Sequence, residues 1–86
     1  MDLSEGQRKI LDITAEKSGR NPNISVIDTA VIQASGLATD EVNTYLGQLD
    51  GLGLIKLGIK VSGADFGLIN ITNEGLNATS QNQEFR

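Results

Sequence analysis

The spacing of the apolar residues changes at Gly53, and this change constrains the fold more than any other feature of the sequence. Before Gly53, apolar side chains recur at the three- and four-residue intervals of an amphipathic helix: Val42, Tyr45, Leu46, Leu49 and Leu52. After it they alternate with polar residues, as in a strand with one buried face: Ile55, Leu57, Ile59 and Val61. One core must therefore accept both a helix and a β-strand, which predicts an α+β fold.

The residues after Val61 predict a hairpin and a last helix. Residues 62–67 are rich in turn formers, and residues 68–71 supply a second strand. Thr72 is placed to cap a short helix that runs through Leu76. We expect a domain over residues 1–78, followed by a polar tail or linker over residues 79–86.

The first half of the chain predicts two helices and a short strand. Ser4 and Gln7 have the spacing of a capping box, which predicts a helix over residues 5–18. Its core stripe consists of Ile10, Leu11, Thr14 and Ala15. Residues 24–26 are apolar enough for one short strand, and a second helix follows with Asp28 as its N-cap. In that helix we expect three residues to face inward: Ala30, Val31 and Ala34.

A tight turn is predicted between the second and third helices. Gly36 can adopt the positive φ that such a turn requires, and Leu37 is expected to point into the core. Thr39 is the predicted N-cap of the third helix, and Gly53 is placed just past its end.

Composition limits the chemistry that the chain can perform. It contains neither cysteine nor histidine, so the usual nucleophile–base pairs and metal clusters cannot be built. We expect a protein without catalytic activity, metal or cofactor. The N-terminus has no basic or apolar leader and no stretch approaches a membrane span, so we expect a cytoplasmic protein with no membrane partner.

Negative charge is concentrated in the middle of the chain. The whole chain has a formal charge of −4. No Lys or Arg occurs from Asn21 to Ile55, a stretch that contains four acidic residues: Asp28, Asp40, Glu41 and Asp50. Asp40 and Glu41 fall in the first turn of the third helix, where the helix dipole favours negative charge by about 0.3 to 1 kcal/mol each.

Three segments match a known pattern of turns and core residues, namely residues 35–42, residues 46–55 and residues 71–76. Through them the chain, over about residues 4 to 78, resembles the winged helix-turn-helix domains of bacterial and archaeal transcription regulators. The resemblance implies three to four helices and a small antiparallel hairpin, the wing. It also implies that the third helix enters the major groove and that the wing contacts the DNA backbone or the minor groove.

Carried over by position, the resemblance implies a set of candidate DNA-binding residues: Thr39, Asn43, Thr44, Gln48, Lys56, Lys60 and Ser62. Asp40 lies among the base-reading positions of the same helix. Asn43 and Gln48 have the amide groups that read adenine. Because only two lysines are expected at phosphates, DNA binding is expected within a larger assembly such as a homodimer.

The alternative hypothesis is a winged helix that binds another protein. In this interpretation the acidic start of the third helix docks on a basic partner, and the wing adds an apolar anchor. The residues concerned are Asp40, Glu41, Phe66 and Leu68. A third interpretation is an enzyme fragment, or an accessory domain that supports chemistry located elsewhere.

Overall fold

The computed structural model describes residues 2–58 and 67–80. Within them the chain forms seven elements: α1 (Glu5–Lys17), β1 (Val26–Ile27), α2 (Asp28–Ser35), α3 (Thr39–Gly51), β2 (Ile55–Leu57), β3 (Leu68–Ile71) and α4 (Asn73–Ala78). The three strands make an antiparallel sheet in the order β1-β3-β2. The predicted α+β class is confirmed. The middle of the predicted hairpin, residues 59–66, lies outside the described residues.

Helix α1 begins as the capping box predicts. The backbone N–H of Ser4 donates to Oε1 of Gln7 at 2.9 Å, and the backbone N–H of Gln7 donates to Oγ of Ser4 at 3.2 Å. The four residues of the predicted core stripe are buried. Thr14 is accommodated there because its hydroxyl donates to the Ile10 carbonyl at 2.9 Å, which gives this buried polar group a partner.

The β1 strand and the start of α2 differ from the prediction. Val26 and Ile27 pair with Ile69 and Leu68, so the strand lies later than residues 24–26. Asp28 is therefore not an N-cap: Ile27 holds that position in extended conformation, and Asp28 is the first helical residue. Its backbone N–H instead donates to the Gly67 carbonyl at 3.2 Å.

Helix α2 presents only part of the predicted face to the core. Val31 is buried and Ala30 is half-buried, as expected, but Ala34 is exposed and Ser35 is buried in its place. Ser35 lies one turn after Val31, on the same side of the helix. Its hydroxyl donates to the Ile32 carbonyl at 2.8 Å and accepts the Leu37 backbone N–H at 3.0 Å, which satisfies the buried group.

The turn into α3 has the predicted geometry but a different cap. Gly36 has φ 71°, in the left-handed region that favours glycine, and Leu37 packs against the core. The predicted Thr39 cap is wrong. Ala38 is the N-cap residue, with an extended backbone, and Thr39 is already the first residue of the helix.

Three of the five predicted apolar residues of helix α3 are fully buried: Val42, Leu46 and Leu49. Tyr45 is half-buried against the core. Leu52 is 45% exposed, contrary to the prediction, because the last helical residue is Gly51 and Leu52 is the C-cap. Leu54, just past Gly53, occupies the core instead at 2% exposure.

The sheet and α4 close the core on its other side. The buried residues of β2 and β3 are Ile55, Ile69 and Ile71. Thr72 caps α4 as predicted, accepting the Gly75 backbone N–H at 2.9 Å. Its hydroxyl also donates to the Gly53 carbonyl at 2.8 Å, and its backbone N–H donates to the Leu54 carbonyl at 3.2 Å. One residue therefore attaches α4 to the exit of α3.

Arg20 holds the other end of α4. Its backbone has φ 60°, which is unusual for a residue with a side chain. The guanidinium donates to the Leu76 carbonyl and to Oγ1 of Thr79, each at 3.2 Å. The connector after α1 is thus linked to the segment that follows α4.

Candidate nucleic-acid and protein interface

One side of α3 is exposed along its whole length and forms the main candidate surface. It lies opposite the buried residues of the same helix and is called here the α3 face. Its residues are Thr39, Asp40, Thr44, Gly47, Gln48 and Gly51, all exposed. Five of the six are uncharged: Thr39, Thr44 and Gln48 are polar, and Gly47 and Gly51 have no side chain beyond hydrogen. The sequence prediction of a polar third helix opposite the core is therefore confirmed.

Gly47 and Gly51 leave open space on this face. A methyl group added at either position would meet no atom within 4 Å. No neighbouring helix within the described part of the chain accounts for these two glycines. The backbone of α3 is consequently accessible to a partner at this point.

The candidate reading residues of α3 differ in their surroundings. The Thr44 hydroxyl donates to the Asp40 carbonyl at 2.9 Å, so its oxygen remains able to accept. Asn43 is half-buried at the side of the helix and does not belong to the exposed strip. Gln48 accepts a hydrogen bond from Nε2 of Gln7 in α1, with 2.8 Å between Nε2 of Gln7 and Oε1 of Gln48.

Gln7 was not among the residues that the sequence pointed to for function. The capping-box spacing identified it as a structural residue of α1, which is correct. Its second contact, to Gln48, joins positions 41 residues apart. Only the packing of α1 across α3 reveals that contact, since no local pattern encodes it.

The hairpin contributes one described candidate for phosphate binding. Lys56 is exposed in β2, paired in register with Asn70 of β3. Asp50, near the end of α3, contacts the end of the same strand, where its Oδ1 accepts the Leu57 backbone N–H at 3.4 Å. Lys60 and Ser62 lie outside the described residues, so their predicted role stays a prediction.

The candidates for protein contact fall into two groups. Asp40 and Glu41 are exposed in the first turn of α3. Leu68 is 42% exposed in β3, whereas Phe66 lies outside the described residues. Opposite Leu68 in the sheet is Ile27, 50% exposed, which the sequence prediction missed because it ended β1 one residue too early.

Two other features, a metal-binding cluster and a membrane span, are absent from the described ranges. They contain no group of three or more Asp, Glu, His or Cys that could hold a metal ion. Across residues 2–58 and 67–80, no helix combines the length and the apolar character needed to span a bilayer.

Comparison with known proteins identifies the fold. No protein-family model matches the chain, and no curated protein matches its sequence. Among solved structures it is similar to NMB1585, a MarR family regulator from Neisseria meningitidis, with a TM-score of 0.68 and 23% sequence identity. The alignment covers 98% of this chain but 58% of the regulator, so the chain spans little more than half the length of that protein. The chain has the winged helix-turn-helix fold.

Proposed function

We propose that this chain is a non-catalytic DNA-binding module that acts as part of a larger assembly. The observation that carries the proposal is the α3 face, an uncovered polar surface that directly follows the turn at Gly36. In helix-turn-helix proteins the helix after this turn enters the major groove. The similarity to a protein described as a MarR family regulator supports the same interpretation.

Electrostatics explains why a single copy is expected to bind weakly. Helix α3 carries Asp40, Glu41 and Asp50 and no Lys or Arg, so its charge opposes approach to phosphates. We assign the attraction to Lys56 and Lys60, the two lysines of the hairpin. Each neutralised phosphate adds about −0.9 to the slope of log K against log salt, which gives about −1.8 for one chain and about −3.6 for two.

A salt titration tests the proposal. We expect fluorescence anisotropy with a labelled duplex to give a slope that becomes shallower when Lys56 and Lys60 are replaced by Ala, by about 0.9 for each lysine and copy. Lys17→Ala is the matched control, because Lys17 is an exposed lysine in the last turn of α1. An unchanged slope in the double variant, or an equal change in the control, would contradict DNA binding through the hairpin.

A second candidate function is protein binding, and the exposed pair Ile27 and Leu68 favours it. Ile27 in β1 and Leu68 in β3 oppose each other across the sheet, and both are exposed. Strand β3 is the one that follows the wing. Together with the exposed carboxylates of Asp40 and Glu41 they offer one acidic and one apolar region. Such surfaces suit a basic partner with an apolar anchor.

Charge reversal distinguishes this candidate from the first. Asp40→Lys with Glu41→Lys should abolish binding of a basic protein partner and strengthen binding to DNA, since repulsion from phosphates is removed. Asp2→Lys with Glu16→Lys, at two exposed positions outside α3, makes the same change of net charge and is the control. The partner would be captured from lysate on the immobilised chain and identified by mass spectrometry. Capture of the same protein by the double variant would contradict the role of these acids.

A further inference from the structure

The hydrogen bond from Gln7 determines the orientation of the Gln48 side-chain amide, that is, on which side its oxygen and its nitrogen lie. A backbone N–H can only donate, so the oxygen of the Gln7 amide must face the Ser4 N–H, at 2.9 Å. The Nε2 group of Gln7 is then left to face α3, and it too can only donate. The atom of Gln48 that meets it, at 2.8 Å, must be the oxygen. The capping box of α1 thus orients an amide on the α3 face.

The orientation of this amide matters for base recognition. The major-groove edge of adenine offers an acceptor, N7, beside a donor, the N6 amino group, whereas guanine offers two acceptors. A glutamine amide matches adenine only when its oxygen meets N6 and its nitrogen meets N7. A freely rotating amide presents both orders, and one of them is mismatched.

Gln48 keeps the groups that such a contact needs. Its oxygen has two lone pairs, of which Gln7 uses one, and both N–H donors of its Nε2 remain available. Gln48 is exposed, so a base edge can reach it. The hydrogen bond to Gln7 does not block a two-point contact with adenine and removes rotational freedom that binding would otherwise have to freeze.

We propose that Gln7 is a positioning residue that holds Gln48 in the orientation that selects adenine. This inference rests on the proposed function, since it assigns a base preference to the α3 face. Gln7 itself need not touch DNA. It acts through the hydrogen bond to Gln48. The two residues are far apart in sequence, and the packing of α1 against α3 brings their side chains together.

Gln7→Glu separates this role from helix capping. A glutamate at this position still accepts the Ser4 N–H, so the capping box is retained. Its other oxygen can only accept, and Gln48 must turn its nitrogen toward it, which reverses the donor and acceptor order shown to the base. Gln33→Glu, at an exposed position of α2, makes the same chemical change away from the pair and controls for the added charge.

The experiment is a selection from a duplex library of randomised sequence, carried out with the wild type and three variants. Gln48→Ala identifies the base-pair position that Gln48 reads. At that position we expect the wild type to select adenine, and Gln7→Glu to lower the preference by about 2- to 10-fold, the factor that one net hydrogen bond supplies. Gln33→Glu should leave it unchanged.

The outcomes separate this inference from the proposed function. Binding with a preference that Gln48→Ala removes but Gln7→Glu leaves intact would overturn the role of Gln7 alone. A preference for guanine at that position would overturn the assigned orientation. Failure of the wild type to bind any duplex would overturn the proposed function and this inference together.

A measurement on the free protein tests the hydrogen bond directly. The side-chain amide protons of Gln7 should exchange with water more slowly than those of Gln33, which is exposed on α2. Equal exchange rates for the two side chains would show that the pair does not persist in solution, and the inference would fall.

Discussion

Gly75→Ala is expected to destabilise the fold although alanine is the better helix former. Gly75 is buried in α4, and a Cβ built there would overlap the Leu54 carbonyl oxygen and lie 2.9 Å from Cγ1 of Ile71. The obstacle at Leu54 is backbone, which cannot rotate away as a side chain can. Helix α4 would have to move off the exit of α3.

The expected loss in the free energy of unfolding is the sum of three contributions. Overpacking costs about 1 to 3 kcal/mol. Weakening the hydrogen bond from the Thr72 N–H to the Leu54 carbonyl, 3.2 Å long, costs about 1 kcal/mol more. Helix propensity returns about 1 kcal/mol. The net loss is about 2 kcal/mol, which for a domain of this size lowers Tm by about 8 to 16 °C.

Thermal unfolding followed by circular dichroism measures this loss, with Gly47→Ala as the matched control. Gly47 is also a helical glycine, but a Cβ there meets nothing within 4 Å, so the control should gain up to about 1 kcal/mol from helix propensity. The two identical substitutions should therefore move Tm in opposite directions. A Tm for Gly75→Ala equal to or above that of the wild type would refute the close contact between α4 and Leu54.

Substitutions at three further positions test contacts between elements and backbone strain by urea unfolding. Thr72→Val removes both the α4 cap and the bond to Gly53 and should cost about 1 to 3 kcal/mol, whereas Thr72→Ser should keep most of the stability. Arg20→Ala should be less stable than Arg20→Gly by about 1 kcal/mol, because both lose the guanidinium bonds but only glycine relieves the positive φ; the reverse order would argue against strain. Gly6→Ala should cost less than Gly75→Ala, because the Cβ would meet the ring of Tyr45, a side chain that can shift, and an equal loss would contradict this.

The sequence predicted the elements well because each is set by local spacing. The helical stripe of α1, the alternation after Gly53 and the Thr72 cap all depend on residues within a few positions of one another. The positive φ of Gly36 was predictable for the same reason. These features are properties of short segments, and the folded chain keeps them.

The errors arise where tertiary pairing overrides a local preference. Asp28 is a favourable N-cap residue, but pairing of Ile27 with Leu68 keeps the chain extended for one residue more than the local pattern indicates. Leu52 has helical spacing, yet the helix ends before it, and Leu54 takes the place in the core.

The candidate site was predictable only in part. Exposure of Thr44 and Gln48 follows from helical periodicity, because they lie opposite the buried residues of α3. The contact from Gln7 depends on how α1 crosses α3, and a linear pattern contains no information about that crossing. The exposure of Ile27 depends on the register of β1 and could not be derived once the strand was placed too early.

The open space at Gly47 and Gly51 also bears on how the proposed recognition of DNA by α3 can be changed. A Cβ introduced at either exposed position meets nothing within 4 Å, so a side chain can start there without displacing a core residue. An arginine installed there would reduce the net negative charge of α3 and supply a guanine-reading group that the helix lacks. Under the proposed function, base specificity can therefore be redesigned at these two positions while the interior that keeps the chain folded stays the same.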